Sequence, residues 1–184
     1  RPERANPAQK RVILFSPHPD DDVISMGGTF SKLIKQGHDV HVVYQTSGNI
    51  AVTDDEALKF AEVCNDFIGT EEVKMNFKSI IEFINNKKEN QADSLEVRKL
   101  KGLIRRKESY GATRYIGLKD ENTHFLDLPF YETGHIKKKP LGVEDIAIVK
   151  NIIATIRPHQ VFAAGDLADP HGTHEVCLNA IFAA

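Results

Sequence analysis

Cysteine is scarce in this chain: Cys64 and Cys177 are the only two in 184 residues, and they lie far apart without CxxC spacing. That excludes a cysteine-built zinc cluster and a paired-thiol redox motif, and reads as free thiols in a reducing cytosol. Apolar residues never run to the roughly 20 that a membrane span needs, and no signal-peptide pattern opens the sequence, so the expected setting is cytoplasmic with no membrane span. Excess charge of one sign is missing too. The 24 basic residues are balanced by 26 acidic ones, which leaves no bulk field to hold nucleic acid or an anionic membrane. Repeats and low-complexity tracts are absent. Met26-Gly27-Gly28-Thr29 does not form GxGxxG and falls inside an expected helix, which argues against a nucleotide-binding Rossmann domain. The length suits one domain with a sizeable core. The sequence starts at Arg1 and stops within a helical pattern at Ile181-Phe182-Ala183-Ala184, so a piece of a longer protein is expected.

Residues 1–9 are polar with two prolines and read as a linker or arm, leaving 10–184 as the folded domain. The run Val12-Ile13-Leu14-Phe15 reads as a buried strand. A helix is expected from about Val23 to Gln36, N-capped by Asp22 and stopped at Gly37. Asp39 to Gln45 reads as a second strand and Asp54 to Phe67 as a helix, from its apolar spacing at Ala57, Phe60, Ala61 and Cys64. Glu71 to Gln91 is mixed, with a solvated loop at Asn85 to Asn90. Then come an amphipathic helix over Ala92 to Tyr110 stopped by Gly111, a short strand at Arg114 to Leu118, and a loop or strand end at His124 to Pro129. Val143 to Ile156 is helical, Gln160 to Ala164 a strand, and a last helix starts near Thr173. Strands alternating with helices give an α/β fold, a Rossmann-like three-layer sandwich around a mostly parallel sheet.

Two loops concentrate the chemistry, each following an apolar strand and opening a helix. In the first, Ser16-Pro17-His18-Pro19-Asp20-Asp21-Asp22 sets an imidazole beside three consecutive carboxylates. These groups repel and desolvate one another unless a cation joins them, and a divalent metal is the usual answer. The second, Asp166 to Glu175, carries His171 and His174 three residues apart at a helix start, where both can reach one centre. The two loops meet only if their strands are neighbours. Two histidines and one aspartate would give three N/O ligands with a position open for water, the arrangement of a catalytic zinc site. Zinc lowers the pKa of its water towards about 7, and hydrolysis then needs a base, which a carboxylate next to a ligand can supply.

His18-Pro19-Asp20-Asp21 resembles the (A/P)HPDD signature of the LmbE-like, or PIG-L, family of zinc-dependent amino-sugar de-N-acetylases, and His171-Gly172-Thr173-His174 resembles that family's second signature. The resemblance extends over nearly the whole chain. It implies that His18, Asp21 and His174 bind Zn²⁺, that Asp20 is the general base, and that His171 is the assisting acid or oxyanion stabiliser. Thr173 stands where the family often has Asp, so any orientation of His171 would fall to Asp166 or Asp169. Asp22 replaces a common Glu. Thr46-Ser47-Gly48 resembles the turn bordering the substrate pocket. Arg105-Arg106-Lys107-Glu108 followed by Leu118 resembles the family's RxxE…LG segment, where Arg105 is either a substrate contact or half of a helix-surface pair with Glu108. Asp127, in Phe125 to Tyr131, resembles the aspartate lining the sugar site, and either contacts substrate or caps a turn. Lys137-Lys138-Lys139 reads as a solvated run that a phosphorylated sugar would welcome. The wording around Phe130-Tyr131-Glu132-Thr133-Gly134 resembles the LmbE-type domain attached to glucosamine-6-phosphate-deaminase-like proteins.

The resemblance thus implies zinc-dependent hydrolysis of the N-acetyl group of an N-acetylglucosamine-type small-molecule substrate, in a chain fused to a deaminase-like domain or oligomeric. The rivals are a metal-dependent amidase, esterase or phosphoesterase acting on a non-sugar substrate, and a non-catalytic sugar-binding domain.

Overall fold

Val12, Ile13, Leu14 and Phe15 are all buried and form the heart of β1 (Arg11–Ser16). The computed structural model of the chain describes residues 7–67, 71–133, 138–166, 168 and 170–184, so most of the expected N-terminal arm lies outside the described residues. β1 pairs in parallel with β2 (Asp39–Tyr44) on one side and β4 (Gln160–Ala163) on the other, and β2 pairs in parallel with β3 (Thr123–Phe125). The sheet order is β3-β2-β1-β4. Leu14 lies opposite both Val42 and Phe162, so β1 is the strand shared by the two halves.

Burial on both faces explains why β1 is apolar throughout rather than alternating. Val12 and Leu14 pack with Val40, Val42 and Tyr44 against Phe30 and Leu33 of α1 (Asp21–Lys35). Ile13 and Phe15 face the other way, towards Val149 and Ile156 of α5 (Val143–Ile156) and Cys177 and Ala180 of α6 (Thr173–Ala183). Each such side chain stabilises the fold by about 1.5–3 kcal/mol through burial. This is the expected three-layer α/β sandwich. Parallel pairing brings the strands' C-terminal ends to one edge, where open α/β sheets bind ligands.

The chain divides into two compact units. The sheet, α1, α5 and α6 belong to the first. The second is helical, running from Gly48 to Arg105 and comprising α2 (Asp54–Phe67), α3 (Glu71–Asn85) and the start of α4 (Leu95–Tyr115). Ala61, Ile80 and Val97 are its core, with Phe77, Ile81, Ile84 and Leu100 packed around them. Beside them stands a square of charges. Lys87 Nζ bonds to Asp54 (2.8 Å) and Asp93 (2.5 Å), and Lys101 Nζ bonds to Asp54 (2.6 Å) and Asp93 (2.7 Å).

Five expectations need correction. Glu71 to Asn85 is one helix, because Phe77, Ile80, Ile81 and Ile84 share the helical repeat that builds its inner face. Lys87 leaves the expected solvated loop for the charge square and is only 17% exposed. α4 passes through Gly111 to Tyr115. It ends where the Gly117 N–H bonds the Arg114 carbonyl (3.0 Å) and the Leu118 N–H bonds the Thr113 carbonyl (2.9 Å), with Gly117 at φ +89°. That closing pattern occupies Arg114 to Leu118 and replaces the expected strand, since its apolar residues Ile116 and Leu118 mimic strand alternation. The third strand is instead β3. Finally, α1 begins at Asp21 with Asp20 at its N-cap, so Asp22 lies inside the first turn.

Candidate metal centre

The loop after β1 is organised around Ser16, which is fully buried. Its hydroxyl donates to the His18 carbonyl (2.6 Å) and accepts the Asp22 N–H (3.0 Å), pinning both ends of the turn. Thr46, just past β2, ties down the middle: its N–H and its hydroxyl both donate to the Pro17 carbonyl, at 3.1 and 2.7 Å. With two prolines limiting φ, the chain between Ser16 and Asp22 has little freedom left.

This turn aims His18 and Asp21 at each other. Asp21 Oδ2 accepts the His18 backbone N–H at 2.8 Å and lies 3.2 Å from His18 Nδ1. Because β4 is the neighbour of β1, the loop after β4 delivers His174, on the first turn of α6, to the same point. His174 Nε2 stands 3.2 Å from His18 Nδ1 and 3.3 Å from Asp21 Oδ2. Nδ1, Oδ2 and Nε2 thus form a nearly equilateral triangle. A tetrahedral zinc ion with bonds near 2.0–2.1 Å separates its ligand atoms by about 3.3 Å, so the triangle has the size of one face of a zinc tetrahedron. Among the described residues no other three His, Cys, Asp or Glu side chains converge in this way.

Electrostatics agree with a cation site. Burial pushes the Asp21 carboxyl up, but the His18 ring and backbone hydrogen bonds, with His174 nearby, outweigh it and hold the group below the ordinary carboxylate range. Asp166 Oδ2 approaches His174 Nδ1, the nitrogen facing away from the triangle, to 3.8 Å. At that separation the pair is a charge approach and not a hydrogen bond. Asp166 was expected beside His171, and it stands behind His174 instead. Asp169 lies outside the described residues.

Asp20 sits at the N-cap of α1, partly exposed and next to Asp21 in the chain. His171 lies exposed in the turn leading into α6 and is not one of the converging groups. Asp127 follows β3 with φ +47° and pairs with Arg106 Nη2 at 2.6 Å, while the Arg106 guanidinium lies 4.5 Å over the Phe125 ring. Arg105, the expected contact, is half-buried in the second unit.

Asp22 is the correction of most consequence. Rather than capping α1, its carboxylate is 3% exposed and accepts the Tyr44 hydroxyl at 3.0 Å. Burial raises its pKa despite that bond. Sequence reasoning also gave no role to Tyr131, whose ring meets His18 edge-on with centroids 5.8 Å apart, or to Glu132, whose carboxylate accepts the Ser47 N–H at 3.1 Å. The only available signal was their place in an aromatic-acidic run after β3.

Comparison with known proteins adds the following. The family model PIG-L, GlcNAc-PI de-N-acetylase, matches residues 13–184. A putative glucosamine-6-phosphate deaminase-like protein of Bacteroides thetaiotaomicron is 53% identical over 190 residues, an alignment that takes in 100% of this chain and 29% of that protein. A diacetylchitobiose deacetylase of Thermococcus kodakarensis is 45% identical over 47 residues, 26% of this chain and 18% of its own length. Among solved structures, the N,N'-diacetylchitobiose deacetylase from Pyrococcus horikoshii, complexed with its inhibitor MPG, aligns with a TM-score of 0.59 and 23% identity over 96% of this chain and 49% of that one. At that identity the likeness speaks to fold. The chain therefore spans less than a third of either curated relative.

Proposed function

This chain belongs to the PIG-L family, and from that premise we propose that it is a zinc-dependent de-N-acetylase of an N-acetylglucosamine-type substrate. The observation that carries the reading is the triangle of His18 Nδ1, Asp21 Oδ2 and His174 Nε2, with edges of 3.2 to 3.3 Å. These three atoms would hold Zn²⁺. When bound, the ion supplies Lewis-acid polarisation of the acetamide carbonyl and acidifies water towards a pKa of about 7.

The remaining work falls to the chain's own groups. Asp20, one residue from Asp21 and partly exposed, takes the proton of the attacking water and returns it to the departing amine. His171, three residues before His174 in the same loop, stabilises the tetrahedral oxyanion. Asp127, held by Arg106 at the edge where the strands end, offers its carboxylate to sugar hydroxyls. The free thiols Cys64 and Cys177 suit the reducing cytoplasm we assign to it.

The test is metal analysis of protein purified without chelator, together with acetate and phosphate release from a panel of N-acetylated amino sugars and phosphoesters. One zinc per chain with acetate release is expected. Phosphate release without acetate would transfer the site to a phosphoesterase, and neither metal nor acetate would sink the proposal. Within it, Asp20→Asn should keep the metal and lose about 10²–10⁴-fold in turnover, whereas Asp21→Ala should lose both metal and turnover.

A further inference from the structure

Lys138 sets one ammonium group against the second loop of the metal centre. Its Nζ hydrogen-bonds the Thr173 hydroxyl and donates to the His171 carbonyl at 3.4 Å. The same Nζ stands 5.2 Å from the centre of the Tyr131 ring, and that ring meets His18 edge-on. Thr173 is fully buried and directly precedes His174. The His171 carbonyl is thus bonded directly, and His174 and His18 are each one step further off, through Thr173 and through the Tyr131 ring.

The turn needs such a tie. α6 starts after Gly172, whose φ is +65° and which has no side chain of its own to cap the first turn. A helix start whose N-cap residue has no side chain gains from a tie made by another segment. Lys138 comes from the segment after Tyr131, 35 residues before Thr173, so its bonds join parts of the chain that nothing local would align. Its aliphatic stem reaches across while the ammonium does the bonding.

We propose that Lys138 is a positioning residue for the reaction: bonded to Thr173 and to the His171 carbonyl, it fixes the turn that carries His171 and delivers His174, and it anchors the Tyr131 ring that meets His18. This rests on the de-N-acetylase reading above. It differs from a substrate contact, because the ammonium is directed at protein groups.

Lys138→Met keeps the stem and removes the bonds. In the zinc-loaded protein it should lower kcat by about 10- to 100-fold, the range expected when a reacting group is misplaced by an ångström, with KM within about twofold of wild type. Metal content should stay at the wild-type level, and the visible spectrum of the cobalt(II)-loaded protein should change, since the Tyr131 ring against His18 loses its anchor. Thr173→Val should reproduce the kcat loss and Thr173→Ser should rescue it. The double variant Lys138→Met/Thr173→Val should be no worse than either single one, as for residues acting as one unit. Exposed Lys139→Met is the control for charge alone.

An unchanged kcat and cobalt spectrum in Lys138→Met would overturn the proposal, as would single-variant losses that multiply in the double variant. A rise in KM alone would make Lys138 a substrate contact and overturn it equally. If wild-type protein binds no metal and releases no acetate, the de-N-acetylase reading fails and takes this inference with it. An active wild type indifferent to Lys138 sinks this inference alone.

Discussion

Tyr44 and Asp22 face each other in the layer between β2 and α1, 1% and 3% exposed. Burial and the nearby Asp22 charge push the Tyr44 phenol well above its ordinary range, so its hydroxyl stays a donor at every pH the fold survives. The Ser16 hydroxyl lies 3.4 Å from the same carboxylate with its proton directed at the His18 carbonyl, and Ser109 bonds Tyr44. Tyr44→Phe removes a donor from a buried acid and leaves the shape intact. It should cost on the order of 1–3 kcal/mol, the penalty for an unsatisfied buried polar group, read as a lower urea midpoint with an unchanged slope. No loss would mean that water or Ser16 satisfies Asp22 unaided. The roles of the neighbouring acids show what residue order can carry. That His18 and the acids after it want a cation was legible because paired carboxylates beside an imidazole at a strand end have few structural uses, and the choice of Asp21 among them came from the resemblance to the PIG-L signature. The role of Asp22 was not, because nothing in three consecutive aspartates says where the helix starts. Moving the N-cap from Asp22 to Asp20 swings Asp22 from the helix entrance into the core.

At the scale of elements, α4 separates two glycines that look alike in sequence. Gly111 lies mid-helix with nothing within 4 Å of where a Cβ would stand, while Gly117 closes the helix at φ +89°. Gly111→Ala should therefore stabilise by about 0.5–1 kcal/mol, by removing backbone entropy from the unfolded chain. Gly117→Ala should destabilise by roughly 1–2 kcal/mol, the cost of a left-handed conformation for an L-residue. Thermal unfolding of both variants checks the pair, and shifts of the same sign would contradict it. These glycines also mark where the fold was and was not readable. β1, β2, β4, α2, α5 and α6 follow directly from apolar runs and their periods. The end of α4 did not, because the helix is closed by the Gly117 and Leu118 N–H groups bonding the Arg114 and Thr113 carbonyls, a pattern that either glycine could have started. β3 is only three residues long, Thr123–Phe125, too short to leave a period, and it exists because β2 offers it a parallel partner.

For the whole molecule, the decisive fact absent from residue order is adjacency. The two chemical loops share a centre because the sheet runs β3-β2-β1-β4, and no local signal sets that order. The same holds for the charge square of the second unit, whose partners Asp54 and Lys101 are 47 residues apart. Lys101 is 5% exposed and Asp93 14%, so these charges are largely removed from solvent and depend on one another. At Asp54 burial pushes the carboxyl up, but the bonds from Lys101 and Lys87 prevail and hold it below the ordinary range. At Lys87 burial lowers the pKa, and the two carboxylates more than reverse that. An acid depressed by folding stabilises above its unfolded pKa, about 3.9, and that stabilisation disappears as pH falls through the lower folded value. A base raised by folding stabilises below its unfolded pKa, about 10.4, and that contribution is lost as pH rises through the folded value. The square therefore works at full strength between roughly pH 5 and 9 and fails first in acid. Native-state hydrogen exchange should show protection factors in α2 and α4 falling below about pH 4, while the amides of Val12 to Phe15, surrounded by apolar side chains, keep theirs. Lys101→Met should bring the acid-induced loss towards neutral pH, because Asp54 and Asp93 would then share one ammonium. Protection in α2 that ignores acid in the wild type, or a Lys101→Met variant with the wild-type profile, would show that the apolar core of Ala61, Ile80 and Val97 holds the second unit without the square.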